Sequence, residues 1–307
     1  MIKSFVVDAE SQGLRVDVFL KDKLGEFTRS RIAKMFDLNK IKIGSGFVGK
    51  SHILNFKDLV IAEIDDQFEV LPQNIKLDIV YEDCDVLVVN KPKGMITHPF
   101  DGFYKDTLVN ALLYYEKKLS DINGKFRPGI VHRLDKNTSG LILVAKNNEF
   151  HEAISEQIKN HTYERKYEAV VNGSVCKNYG IISMYIGRKT NYGEKLVGLK
   201  NNDLNLKSRF ALTIFRTLER YKKFTHLELK LKTGRTHQIR VHLSSIGHPI
   251  IGDILYGSKI NFSFYEGQCL HAKKIGFWHS GIRKFLSFDC ELPDYFLKTL
   301  NKISKIN

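Results

Sequence analysis

Asp135 is the carboxylate in this chain with the context of a reactive group. It stands in Gly129-Ile130-Val131-His132-Arg133-Leu134-Asp135-Lys136-Asn137-Thr138-Ser139-Gly140, and Leu141-Ile142-Leu143-Val144-Ala145 follow directly. Residues 130–134 and 141–145 have the apolar character of buried strands, with turn formers at 137–140 between them. Residues two apart on a strand point the same way, so Arg133 and Asp135 are expected to share one face beside a tight turn. A carboxylate near an arginine stays ionised at neutral pH, as a nucleophilic or general-base aspartate requires. An Arg-x-Asp pair at a strand end is more often a surface ion pair. What sets this one apart is the specific wording of His-Arg-Leu-Asp-Lys-Asn-Thr-Ser-Gly around it.

Other side chains of chemical interest lie far off in sequence. Gly234-Arg235-Thr236-His237-Gln238-Ile239-Arg240 opens a segment in which Ile239, Leu243 and Ile246 make a narrow apolar helical stripe. Arg240 lies one helical turn from His237 and from Ser244. Tyr167 falls in Arg165-Lys166-Tyr167-Glu168-Ala169-Val170-Val171-Asn172-Gly173, a strand ended by Asn-Gly. Glycoside hydrolysis needs two cooperating carboxylates, and Asp135 stands alone. His237 and His242 are five apart with no glutamate between, unlike the metalloprotease helix. The four cysteines lack zinc-type spacing and suit reduced thiols in the cytoplasm. No nucleotide-phosphate loop or dinucleotide fingerprint occurs.

The elements that must position these groups fall into two parts. Residues 1–68 predict a small N-terminal α/β unit. Val16, Phe19, Leu20 and Leu24 have helical spacing with Gly25 as the stop, and Thr28 caps a second helix with Ile32, Met35 and Phe36 inward. Arg29, Arg31 and Lys34 are expected on its other faces. Strands follow at 40–43 and 59–64, and a polar linker near 65–74. Residues 75–300 predict a second domain. It has strands at 86–89, 165–173, 210–217 and 225–231, helices at 106–115 and 148–159, and a loop or insertion at 195–207. Its Asn90-Lys91-Pro92-Lys93-Gly94 reads as a turn.

The chain has 307 residues, 43% of them hydrophobic, and 48 basic against 34 acidic side chains, a formal charge of +14. That excess favours a polyanionic partner, nucleic acid before a membrane surface. It is concentrated: residues 15–57 carry ten basic and four acidic groups, and residues 159–240 carry eighteen and six. No apolar run approaches a membrane span, and the first residues lack a signal-peptide pattern.

The nine residues around Asp135 resemble the signature of the RluA family of pseudouridine synthases, with Asn137 where an acidic residue is commoner. The Asn90–Gly94 turn, Thr107-Leu108-Val109-Asn110-Ala111-Leu112, the Tyr167 strand and the Gly-Arg-Thr-His-Gln-Ile-Arg string are similar to the same family. Arg15-x-Asp17, Ser30-Arg31 and the short strands resemble an S-four-type RNA-binding domain, with Asn39 near the place of its usual glycine. The resemblance implies an α+β fold, with a mixed, largely antiparallel sheet and flanking helices in the catalytic domain. It implies isomerisation of uridine to pseudouridine without metal or cofactor. Asp135 would be catalytic, Arg240 its ion-pair partner, and Tyr167 the ring against the base with a hydroxyl for the proton step. Arg133 would fill the space of the flipped base. Lys91, Arg235 and His237, with Arg15, Arg29, Arg31 and Lys34 in the first domain, are the expected RNA contacts. Large-subunit ribosomal RNA is the expected substrate and transfer RNA the runner-up, for a monomer in the cytoplasm. A non-catalytic RNA-binding or ribosome-assembly factor would share the charge and first domain. The joint presence of Asp135, Tyr167 and Arg240 favours the enzyme.

Overall fold

The computed structural model describes the chain except residues 26, 28, 65–69, 101–103, 189–194, 204–205, 265 and 307, and the side chain of Ser30. The cap expected at Thr28 and the first half of the expected linker therefore lie outside the described residues. The chain divides into two compact units.

The first unit holds Met1–Ile75 and also takes in His98–Tyr115 and Asn123–Pro128. Its four-stranded antiparallel sheet has the order β1 (Ile2–Val6), β4 (Leu59–Glu63), β2 (Ile41–Ile43), β3 (Gly46–Phe47). Helices α1 (Val16–Lys23) and α2 (Arg29–Asp37) bury Phe19, Leu20, Ile32 and Met35 in the core with Leu54 and Val60. Each such side chain contributes about 1.5–3 kcal/mol of burial. Asn39 takes the left-handed conformation at φ 53°, which asparagine tolerates better than most residues. Helix α3 (Leu108–Tyr115) belongs to this unit, where Asn110 donates to the carbonyls of Leu71 and Tyr104.

Arg31 departs from the expectation. It is 3% exposed, with its guanidinium 3.5 Å from the Phe27 ring centroid and 4.5 Å from that of Phe126. A planar, weakly hydrated cation stacks on aromatic faces, so Arg31 is a core residue of this unit. Arg29 is exposed, Lys34 is half-buried, and Arg15 makes a bidentate pair with Asp17 at 3.0 Å for each bond.

The second unit is built on a ten-stranded sheet. Its order is β10 (Leu196–Leu199), β9 (Tyr179–Arg188), β11 (Arg209–Tyr221), β12 (Phe224–Leu231), β8 (Glu164–Asn172), β13 (Leu270–His279), β7 (Ser139–Ala145), β6 (Val86–Lys91), β5 (Ile79–Glu82). Strand β14 (Lys284–Asp289) pairs with β13 off this path. Every pairing is antiparallel except β13 with β7. The sheet is mixed and largely antiparallel, as expected. β7 is buried along its whole length, which explains its unbroken apolar run. Gly140 has φ +108°, and a Cβ there would run into the backbone of Ala272 on β13. Helix α4 (Asn148–Lys159), capped by Asn147, packs Phe150 and Ile154 against Leu141, Leu143 and Phe277. Helices α5 (Gln238–Ser245) and α6 (Asp294–Ser304) complete the unit.

Two expectations are corrected here. Residues 195–207 are not all loop, because Leu196–Leu199 pairs with Tyr185–Arg188; residues 204–205 lie outside the described residues. Residues 130–134 are not a strand beyond one bridge, Ile130 to Val144. The Leu143 N–H donates instead to the His132 ring Nε2 at 3.0 Å. A side chain thus takes the bond that a neighbouring strand would have taken, and the backbone at 131–135 is free to turn.

Candidate functional site

The backbone on either side of Asp135 is fixed from the β6–Thr97 segment. Thr97 Oγ1 bonds both the carbonyl (2.8 Å) and the N–H (3.3 Å) of Leu134. Lys91 Nζ donates to the carbonyls of Pro92, Met95 and Lys136 at 2.9, 2.8 and 3.3 Å. Lys93 Nζ donates to the carbonyls of Asn137 and Gln268 at 2.8 and 2.6 Å. Lys91 is fully buried, and burial pushes its pKa down to about 7 against the pull of Asp135. Its three acceptors match the three N–H bonds of an ammonium and keep the proton on. The RNA contact expected of Lys91 is therefore corrected: its charge is engaged inside the protein, holding the Asp135 loop.

The Asp135 carboxylate faces Arg240, the third residue of α5. Arg240 Nη1 donates to Asp135 Oδ2 at 3.1 Å. Its Nε and Nη2 donate to Asp253 Oδ2 and Oδ1 at 2.7 and 2.9 Å, a bidentate pair in which both partners are buried. Burial opposes the charge on Arg240, but Asp253 and Asp135 outweigh it and raise its pKa. Tyr256 lies under the guanidinium, 4.9 Å from its ring centroid. Arg133 does not pair with Asp135. It is exposed and makes no ion pair among the described residues.

His237 caps α5 with left-handed backbone at φ 53°. The Tyr256 hydroxyl accepts from the Leu196 N–H at 3.1 Å and lies 2.9 Å from His237 Nδ1. The other ring nitrogen, Nε2, is 3.8 Å from Asp135 Oδ2. Burial lowers the pKa of His237, so it is neutral at pH 7. Gln238 fixes the turn before α5. Its Oε1 accepts from Thr233 Oγ1 and the Arg235 N–H, and its Nε2 donates to the Leu212 carbonyl and Thr213 Oγ1. Arg235 is half-buried, with Nε on the Phe210 carbonyl at 3.0 Å.

A cleft of about 430 Å³ joins these groups, lined by Arg133, Asp135, Arg165, Tyr167, Arg235, His237 and Arg240 among others. That size lies in the range of small-ligand sites, about 300–1,000 Å³. Tyr167 is buried, and its hydroxyl has no hydrogen-bond partner among the described residues. Burial raises its pKa, with Arg165 opposing the rise and Asp135 adding to it. The phenol thus stays protonated at neutral pH and can donate a proton or a hydrogen bond.

Asp135, Arg240, Tyr167, Arg133, Arg235 and His237 come together on one cleft, and Lys91 lies behind it. Asp253 and Tyr256 are not singled out by the sequence, since nothing local marks their contacts with Arg240. Among the described residues, Asp83, Asp85 and His279 are close enough to be weighed as metal ligands. His279 is already engaged, with Nε2 3.0 Å from Asp83 and Nδ1 accepting from the Ile282 N–H. The four cysteines are free thiols.

The family model described as RNA pseudouridylate synthase matches residues 85–245. The chain is 38% identical over 298 residues to the RNA pseudouridine synthase YlyB of Bacillus subtilis (strain 168), covering 96% of each chain. It is 36% identical over 309 residues to the ribosomal large subunit pseudouridine synthase D of Pseudomonas aeruginosa, covering 96% of this chain and 93% of that one. Among solved structures it is similar to Human RNA Pseudouridylate Synthase Domain Containing 1. The TM-score is 0.58 at 28% identity, covering 75% of this chain and 89% of the other.

Proposed function

We propose, since the chain belongs to the RNA pseudouridylate synthase family and is an RNA pseudouridine synthase, that it isomerises uridine in large-subunit ribosomal RNA through Asp135. The observation that carries this reading is the Asp135 carboxylate on the cleft, held by an arginine that Asp253 anchors from behind. The target uridine leaves its stack to enter the cleft. Asp135 acts on the sugar, by attack on the anomeric carbon or by removing the neighbouring C2′ proton. The N-glycosidic bond breaks, the uracil turns, and C5 bonds to the anomeric carbon as the bond to Asp135 breaks or the C2′ proton returns. The C5 proton then leaves and N1 takes up a proton. Arg240 holds Asp135 ionised and oriented. Tyr167 packs on the base, with its protonated hydroxyl available to the proton step. Arg133, exposed and without an ion pair among the described residues, enters the place vacated by the base, and Arg235 and His237 contact the substrate.

Ribosomal RNA is favoured because relatives named for the large ribosomal subunit align along nearly their whole length with this chain. In the first unit, the two helices on a small sheet and the exposed Arg29 support an S-four-type RNA-binding domain. No helix among the described residues is long and apolar enough to cross a membrane. We place the enzyme in the cytoplasm, acting as a monomer, since one chain carries every proposed catalytic group. A pseudouridine map of total RNA with and without the protein tests the substrate. Sites that disappear from large-subunit ribosomal RNA support the reading, and loss confined to transfer RNA contradicts it.

A further inference from the structure

Two buried arginines line the cleft, and among the described residues only one has a counter-charge. Arg240 is bonded to Asp253 and Asp135. Arg165 is 8% exposed, yet its guanidinium makes neither an ion pair nor a hydrogen bond among the described residues, and its Nε is buried without a partner. A desolvated cation without a carboxylate is costly to keep. The surroundings nonetheless make room for it. Its guanidinium stands 5.4 Å from the Tyr163 ring centroid, and a Cβ on Gly234 would lie 2.6 Å from Arg165 Nη1. Arg165 and Tyr167 are the alternate inward residues of β8 and line the same cleft. His132 beside them adds a second unengaged donor. Its Nε2 accepts from Leu143, so the ring proton is on Nδ1, which is buried without a partner among the described residues.

We infer that Arg165 receives the uracil carbonyl oxygens and stabilises the anion that the base becomes when its bond to the sugar breaks. The inference rests on the uridine chemistry proposed above for Asp135. When the N1–C1′ bond breaks, its electron pair leaves with N1, and the negative charge spreads over N1, O2 and O4 of the ring. It is discharged when C5 bonds to C1′; the C5 proton then leaves while N1 takes up a proton. A fixed guanidinium beside that ring is an electrostatic stabiliser placed where charge develops. A backbone phosphate is the weaker match. Exposed Lys159 and His161 on the same cleft suit phosphates, whereas Arg165 is buried, where a flipped base rather than a backbone reaches.

The test compares Arg165→Met with the parent chain in single turnovers at saturating RNA. It uses one RNA with uridine at the target and one with 5-fluorouridine, whose fluorine stabilises the departing anion by itself. Cleavage of the N-glycosidic bond is the readout. We expect Arg165→Met to be about 100-fold slower on uridine, the loss typical of one removed oxyanion donor. RNA affinity should change by less than about threefold, and the defect on 5-fluorouridine should be at least about tenfold smaller. Unchanged rates, equal defects on both RNAs, or a lost affinity with a shallower salt dependence (a phosphate contact) would each overturn the inference. If Arg165→Met does not fold, Arg165→Lys is compared in the same way, since a point charge without the planar fork should leave a smaller defect with the same dependence on fluorine. An inactive parent chain would overturn the uridine chemistry itself, whereas an active parent with unaffected Arg165 variants would overturn this inference alone.

Discussion

Arg240 holds two carboxylates with one planar guanidinium, and lysine has no fork with which to do so. Arg240→Lys should therefore leave the chain folded but misplace Asp135, lowering the single-turnover rate on the order of 100-fold. A near-normal rate would remove Arg240 from the reaction. Asp253 is the buried anchor of that arrangement. Asp253→Ala leaves a buried cation half-paired and should cost about 3–5 kcal/mol of stability, measured by denaturant unfolding. Tyr167→Phe keeps the ring and removes the hydroxyl; full activity would leave Tyr167 a stacking role alone. In the sequence, Arg133 two residues away looked like the natural partner of Asp135. The partner is 105 residues distant, a tertiary fact that periodicity does not carry and that only the family wording suggested. Asp253 and Arg165 had no local signal, since one reads as a turn residue and the other as an ordinary charge at the start of a strand.

At the level of elements, the loop from Leu134 to Thr138 is irregular backbone made rigid by its neighbours. Lys91, Lys93 and Thr97 hold its carbonyls. Lys91→Met removes the shared donor of three carbonyls and should destabilise the protein by about 1–3 kcal/mol for each that is left buried without another partner. Activity should fall in the folded fraction as well, because the Asp135 loop loses a tether; a stable and fully active variant would contradict this role. Elements with a strong internal period were legible. The sequence predicts a helix at 148–159 and strands at 165–173, 210–217 and 225–231, matching α4, β8, β11 and β12. Where a side chain replaces a backbone partner, as His132 does for Leu143, the period misleads. β10 hid in a stretch rich in Asn and Lys. Its strand forms through pairing with β9 rather than through a pattern of its own.

At the level of the whole molecule, the excess of basic side chains was legible from composition, but their individual roles were not. Of the first-unit residues expected to touch RNA, Arg31 is buried between aromatic rings and Arg15 is paired with Asp17. That leaves Arg29 and Lys34. Replacing both with Gln should weaken binding to a long structured RNA and reduce the slope of log affinity against log salt by about 0.7–0.9 for each phosphate no longer neutralised. The rate at saturating RNA should be unchanged. An unchanged slope would mean that these residues do not meet phosphate. Deleting residues 1–68 is a poorer test of the same point. Tyr104 packs on the core of the first unit and Phe126 on Arg31, so the deletion would strip both of their cover.

The most direct measurement is pseudouridine formation by Asp135→Asn in the full chain, in single turnovers with uridine-labelled RNA alongside a binding assay. The substitution keeps the shape of the side chain and removes its charge. We expect RNA binding close to that of the parent chain and no pseudouridine. Pseudouridine formed at a rate near the parent's would contradict the central claim that Asp135 carries the reaction.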